Sequence, residues 1–391
     1  MTNSPPSSRS AALDFWRGFV LLMIFVNHIP GNFFEHLTYR NIGFSDSAEA
    51  FVFIAGVSLA LVYGPRIGRG EIGRVVSRCF KRAFDLYRWH LVLTLGAVAL
   101  FAVAFVASDV HEILDGHGRN TVFDDTARGV TGIVLLGHQL GYFNILPLYV
   151  LLMLTAPAFL WLAVRNPALA LGLSFVTYVL ARLFGLNLPT WPEPGTWFFN
   201  PLAWQLIFTL GILAGILWRD QPVAFSPPLF AFSLGFLLVS ALLVTNVFGL
   251  VPGSWAAVFP YLDMSKNDLA SFRLFHFLAL AYVATQLPVA AMAMTTRTGR
   301  ELQRLGRHGL AVFVAGSFLS AAGQTAMTLV EARQYASPQT IGMLSTVAGA
   351  ACLFLLARFI EWTSTTSAPS GSLDARSSPG SLRSASVQAA E

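Results

Sequence analysis

Apolar residues in this chain seldom alternate with polar ones; they run together in long blocks. Blocks of about 18 residues lie near 12–29, 48–63, 89–107, 142–164, 168–186, 199–218, 227–250, 275–295, 309–330 and 340–360. Ten such blocks predict one all-α polytopic bundle of about ten membrane-crossing helices. The stretch Thr126 to Leu140 is apolar but short and broken by glycine, so it is expected to lie in the interface or to re-enter. The first block has the position of a secretion leader. It carries Asp14, Arg17, Asn27 and His28 without a small-x-small cleavage site, so it is expected to stay as a helix.

Composition agrees with the pattern. Of 391 residues, 55% are hydrophobic and 12% charged, and mean hydropathy is +0.61, values that exclude an ordinary soluble domain. The net charge of +5 and pI near 9.5 then report membrane topology rather than nucleic-acid binding. One set of alternate connections holds thirteen Lys or Arg, in 64–88, near 165 and 219, and in 297–307, against seven in the other set (Arg40, Arg119, Arg128, Arg182, Lys266, Arg273 and Arg333). The excess places the first set, and both termini, in the cytoplasm of a bacterial inner membrane. Residues 1–10 form a cytoplasmic lead segment and 11–362 the membrane domain. The Ser-rich stretch 363–391 reads as a disordered cytoplasmic tail.

Cys79 and Cys352 are the two cysteines, too few for a disulfide framework or a metal site. No Walker A loop, G-x-S-x-G, H-E-x-x-H or dinucleotide fingerprint occurs, and neither a bound cofactor nor a metal is expected.

Ionisable residues inside a bilayer are costly, so each is a functional candidate. Arg17 and His28 are 11 residues apart on the first helix, about 20° apart around it and about 16 Å along it. A group held by Arg17 at the inner end could therefore meet chemistry at His28 in the outer half. Lipid snorkelling by Arg17 and a hydrogen-bonded buried histidine are the structural alternatives. His36 is a second candidate base. Arg78, Lys81, Arg82 and Arg88 recur on one side of a helix leading into the third span, suited to phosphates of a soluble ligand or to anionic membrane lipids. Asp46 and Glu49 lie at the outer end of the second span. They could bind a hydroxyl-bearing acceptor, orient a histidine or cap the helix. Asp14, Asn144, Gln205 and His276 are further polar candidates for an acceptor cavity or its support, and Gly211 and Gly215 suggest close helix packing.

The run Leu13 to His28, LDFWRGFVLLMIFVNH, resembles the first helix of the membrane acyltransferase-3 superfamily, whose signature is an Arg followed after ten residues by a His. With SDSAEAFVFIAG, FNILPLYVLL (143–152) and LGRHGLAVF (305–313) it is most similar to the OpgC branch, named for succinylation of osmoregulated periplasmic glucans. The likeness covers about residues 11 to 360. Lys81-Arg82 through Arg88 is similar to the superfamily's basic motif but departs from its Arg-Arg…Pro form. The resemblance implies a cytoplasmic acyl-CoA donor, succinyl-CoA above all, and a periplasmic glucan acceptor. It also implies transfer with His28 as general base and with Asn27 or a neighbouring-helix donor for the oxyanion, an acyl-histidine intermediate being the alternative. A secondary transporter or exporter of a glycan or organic anion is the competing class. Duplicated halves and broken helices would favour that class, and the sequence reveals neither.

Overall fold

The computed structural model describes residues 8–219, 221–246, 249 and 263–366. The stretch expected to be a disordered tail lies, from residue 367 onward, outside the described residues, as does most of the lead segment. Within the described residues the chain is all-α, without strands. Its helices are α1 (Ser8–Asn27), α2 (Ser47–Gly68), α3 (Ile72–Ser108), α4 (Arg119–Asp124), α5 (Thr126–Val134), α6 (Ile145–Arg165) and α7 (Pro167–Leu183). They continue with α8 (Pro201–Leu217), α9 (Pro227–Thr245), α10 (Ser271–Gln286), α11 (Val289–Thr295), α12 (Arg297–Arg307), α13 (Gly309–Arg333) and α14 (Pro338–Thr366).

Among the described residues every apolar block is helical. Six helices, α2, α3, α6, α9, α13 and α14, are each long and apolar enough to cross a membrane, and α10 with α11 makes a seventh if counted as one span. The other blocks are α1, which carries Asp14 and Arg17, and α7 and α8, each of 17 residues. At 1.5 Å per residue a 17-residue helix covers about 25 Å, short of the roughly 30 Å hydrocarbon core. Thr126 to Leu140 forms α5 and a turn, and does not span.

Two expectations need correction. The basic stretch 64–88 is not a connection: α2 runs to Gly68 and α3 starts at Ile72. Val75, Cys79, Ala83, Leu86 and His90 make a buried stripe at helical spacing while the arginines between them stay helical, so α3 continues for 37 residues. That is about 55 Å, and its basic first turns extend well beyond a bilayer core. A broken helix also exists. Pro288 interrupts the eighth block, and α10 and α11 meet at 57°. Proline lacks the N–H that would continue the ladder, and hydropathy alone does not show the bend. The one charged side chain of this pair, Arg273, lies in its first turn rather than at the break.

Small residues set the bundle's contacts, since lipid tails are as apolar as leucine and hydrophobic burial does not by itself join helices in a membrane. Where α2 crosses α8, a Cβ on Gly56 would overlap the Phe208 carbonyl, one on Gly211 the Phe53 carbonyl, and one on Gly215 would come within 2.8 Å of the Val57 carbonyl. Where α1 crosses α12, Gly18 faces the Leu302 carbonyl and Gly306 the Asp14 carbonyl just as closely. The first helix thus sits among α2, α12 and α13, inside the bundle.

Candidate functional site

Arg17 occupies the first-helix crossing. Its guanidinium donates to Asp14 Oδ1 at 2.7 Å, to Ser58 Oγ of α2 at 2.5 Å and to the Gly306 carbonyl at 3.2 Å. Gly309 leaves room for it, since a Cβ there would stand 3.1 Å from Arg17 Cδ. An arginine bonded on three sides is held in place rather than snorkelling along lipid. Arg82 of α3, exposed on its helix, is near enough to feel the charges of Arg17 and the Tyr63 and Tyr149 hydroxyls. Tyr149 of α6 is buried near both arginines, and its hydroxyl has no hydrogen-bond partner. Two cations and an unpartnered hydroxyl therefore lie near one another beside this crossing. Arg78, Lys81 and Arg88 are exposed on the same helix; Arg88 lies 3.9 Å from Asp85 and over the Phe84 ring.

His28 follows the last residue of α1, at the other end. Its Nδ1 is buried and has no hydrogen-bond partner, a property it shares with His90 Nε2 and His308 Nε2, whereas His138 is bonded to the Gly118 carbonyl at 2.8 Å. The ring packs against Tyr142 with centroids 4.9 Å apart, and Tyr142 packs equally against His117. Both Tyr142 (φ 71°) and His117 (φ 54°) hold left-handed backbone, and Gly141 has no Cβ because one would come within 2.8 Å of His117. Such conformations persist where surrounding structure over-determines them, here in the segment that covers His28. Gln324 of α13 donates to the His28 carbonyl at 2.6 Å and accepts from Arg119 at 2.9 Å. Asn27 is buried, and its Oδ1 accepts from Thr38 Oγ1 at 2.8 Å, which leaves the amide Nδ2 as its donor.

A second polar cluster stands beside this end. Asp46 and Glu49 form a capping box at the start of α2, so the capping role holds. Both acids also bind cations from beyond α9: Lys266 Nζ is 2.6 Å from Asp46, and Arg273 is 3.1 Å from Asp46 and 2.6 Å from Glu49. Burial alone would raise the Asp46 pKa, but Lys266 and Arg273 hold the carboxyl well below its usual range. The charges of Asp46, Lys266 and Arg40 all reach His28. His276 joins the cluster through Ser45 Oγ at 2.7 Å, and Gly43 is a glycine because a Cβ would enter the His276 ring.

The remaining candidates fall elsewhere. Gln205 is engaged by Ser174, accepting from its hydroxyl at 2.6 Å and donating to its carbonyl at 2.8 Å, a bond that ties α7 to α8. Asn144 precedes α6 without capping it, and His36 is exposed on a 3-10 turn. Ser58, Tyr149, Gln324 and Arg119 were missed. Each is an ordinary residue within or beside an apolar helix, and only tertiary contact shows its partners. Among the described residues no group of histidine, cysteine or carboxylate side chains could hold a metal.

A family model described as OpgC protein matches residues 9–365 of this chain. No curated protein and no solved structure matches it.

Proposed function

This chain belongs to the OpgC family, and from that premise we propose that it is a transmembrane O-acyltransferase that moves succinyl from cytoplasmic acyl-CoA to hydroxyls of a periplasmic glucan. Family membership carries the coarser statement, a membrane-embedded transferase that modifies glucan. The observation that carries the finer one is the division of labour along α1. A fixed arginine stands within α1 and an unpartnered imidazole just past its end, about 16 Å apart at 1.5 Å per helical residue.

In this reading the phosphates of the donor lie at the basic mouth, on Arg82, Arg78, Lys81 and Arg88, with Arg17 and the Tyr149 hydroxyl receiving the groups that enter the bundle. The slender pantetheine arm follows α1 toward His28. A sugar hydroxyl loses its proton to the neutral imidazole as its oxygen forms a bond to the thioester carbonyl carbon. The carbon–sulfur bond then breaks, and the imidazolium returns its proton to the departing thiolate. Asn27 Nδ2 is the nearest side-chain donor on α1 for the oxyanion. Asp46, Glu49, Lys266, Arg273 and His276 flank the acceptor side, with His36 and Asn144 farther out. The excess of basic residues at the Arg17 end supports a cytoplasmic placement for that end.

The test is mass spectrometry of periplasmic glucans from cells with and without the protein. Succinylated glucans that disappear with the protein are the expected result. Glucans that are unmodified in both, but fail to cross the membrane without it, would replace acyl transfer by transport.

A further inference from the structure

The segment over His28 buries a cation that the reaction above does not use. Arg119, the first residue of α4, is 6% exposed. Its hydrogen bonds go to neutral acceptors, the Ile113 carbonyl at 3.1 Å and Gln324 Oε1 at 2.9 Å, and its guanidinium lies 3.9 Å from the Phe101 ring centroid. No carboxylate among the described residues pairs with it. The contrast with Arg17, Arg182 and Arg273 is direct, since each of those has an acid within 2.7 Å. A buried cation without a counter-ion is expensive to keep unless an anion arrives.

A small cavity adjoins it, lined by Arg119, Tyr142, Ser317 and Gln324 among apolar neighbours. Its volume of about 10 Å³ admits one water-sized group and excludes a sugar ring. Ser317 is 3% exposed, and its Oγ has no hydrogen-bond partner. Ser317, Ala321 and Gln324 share one stripe of α13, and Gln324 is the residue that bonds to the His28 carbonyl. A guanidinium and an unpaired hydroxyl thus converge on a void one side chain away from the proposed base. Tyr142 separates the void from His28, in ring contact with His28 and part of the cavity wall.

We propose that Arg119 and Ser317 form the seat for the terminal carboxylate of a dicarboxylic acyl group, so that this chain selects a charged acyl donor over a neutral one. The inference rests on the acyl-transfer reading and adds the residues that set its acyl specificity. In a four-carbon diacyl unit the thioester carbon and the carboxylate carbon are three carbon–carbon bonds apart, roughly 4 Å when extended. A carboxylate is larger than the single water that the void admits, and Tyr142 stands between the void and His28. In this proposal the Tyr142 ring turns aside as the far end of the acyl group enters from the His28 side toward Arg119. A bidentate guanidinium–carboxylate pair, with the serine hydroxyl donating to the same group, would supply the missing counter-charge.

The experiment measures kcat/KM of the purified full chain with succinyl-CoA, monomethyl-succinyl-CoA and acetyl-CoA on a glucan acceptor. Wild type should use succinyl-CoA at least about tenfold better than its uncharged methyl ester. In Arg119→Gln the ratio of succinyl-CoA to acetyl-CoA should fall at least about 30-fold, and in Ser317→Ala by about threefold to tenfold. A merely structural role for Arg119 would lower transfer from all donors together and leave the ratio unchanged, which overturns the proposal. If Arg119→Gln does not fold, the methyl ester on wild type decides, equal use of the two donors being the overturning result. Transfer of acetyl as efficiently as succinyl by wild type also removes the carboxylate seat while leaving acyl transfer standing. Absence of transfer from every donor removes the acyl-transfer reading itself.

Discussion

Gly18 and Gly306 oppose each other where α1 crosses α12, each lying so near the other helix's backbone that a methyl group on either would overlap a carbonyl. The Gly306 carbonyl is also one of three acceptors for Arg17. A packing requirement and the position of Arg17 are therefore the same contact. Gly306→Ala should push α12 off α1, lower thermal stability by about 1–3 kcal/mol and weaken donor binding together. A thermal unfolding curve and a succinyl-CoA titration of the variant would check both, and an unchanged affinity would separate Arg17 from the donor.

His28→Ala should leave membrane insertion and donor affinity intact while lowering kcat by about 100-fold or more, the usual contribution of a positioned general base. The imidazole Nδ1 makes no hydrogen bond in the fold, so its loss breaks none there and gives up the ring contact with Tyr142. Single-turnover transfer from radiolabelled succinyl-CoA measures the chemical step apart from binding. Full retained activity would dismiss the mechanism.

Ser58 holds one arm of Arg17 at 2.5 Å and itself donates to the Ile54 carbonyl at 2.6 Å. Ser58→Ala should raise KM for the acyl donor by about threefold to tenfold with a smaller change in kcat, because it loosens a binding group and leaves the base untouched. A fall in kcat at constant KM would place Ser58 in the chemical step instead.

Glu49 is fully buried and paired with Arg273 at 2.6 Å. Glu49→Ala should cost about 3 kcal/mol, the low end for breaking a buried pair, since Asp46 still faces Arg273 at 3.1 Å. Replacing both partners, Glu49→Leu with Arg273→Met, should recover part of that loss. Melting temperatures of the single and double variants in one detergent test it.

On α12, Glu301 bonds to Arg358 of α14 and to Arg304, and these bonds outweigh burial to hold its carboxyl below the ordinary value of 4.5. A depressed carboxylate contributes stability above its unfolded pKa and loses it as pH falls through the folded one. The difference in melting temperature between wild type and Glu301→Gln should therefore be constant from pH 7 to about 5.5 and shrink below about 4.5. A difference that does not shrink at all as the pH falls below about 4.5 would contradict the pairing.

Much of the bundle was readable because a bilayer leaves few options for an uncharged stretch of backbone. Among the described residues each apolar block is helical, the eighth as two helices, and the glycines at Gly211 and Gly215 marked a close crossing. The start of α3 was misplaced because hydropathy sees arginines as the end of a span, whereas an amphipathic helix carries them past the membrane surface. Asp46 and Glu49 could be read as a cap from spacing alone. Their cations could not, since Lys266 and Arg273 lie more than 200 positions away along the chain.

By itself the sequence determined that this chain lives in a membrane as helices, and that the first of them carries Arg17 and leads into His28, because hydropathy is a local property. Only tertiary structure decided that Arg17 would be fixed between Ser58 and Gly306, that Tyr142 would close over His28, and that Arg119 would be buried without an acid. In the sequence Arg119 was one more basic residue in an outer connection. Whether a charge is solvated, paired or left waiting depends on what the rest of the chain places within a few ångströms of it, and no local pattern records that.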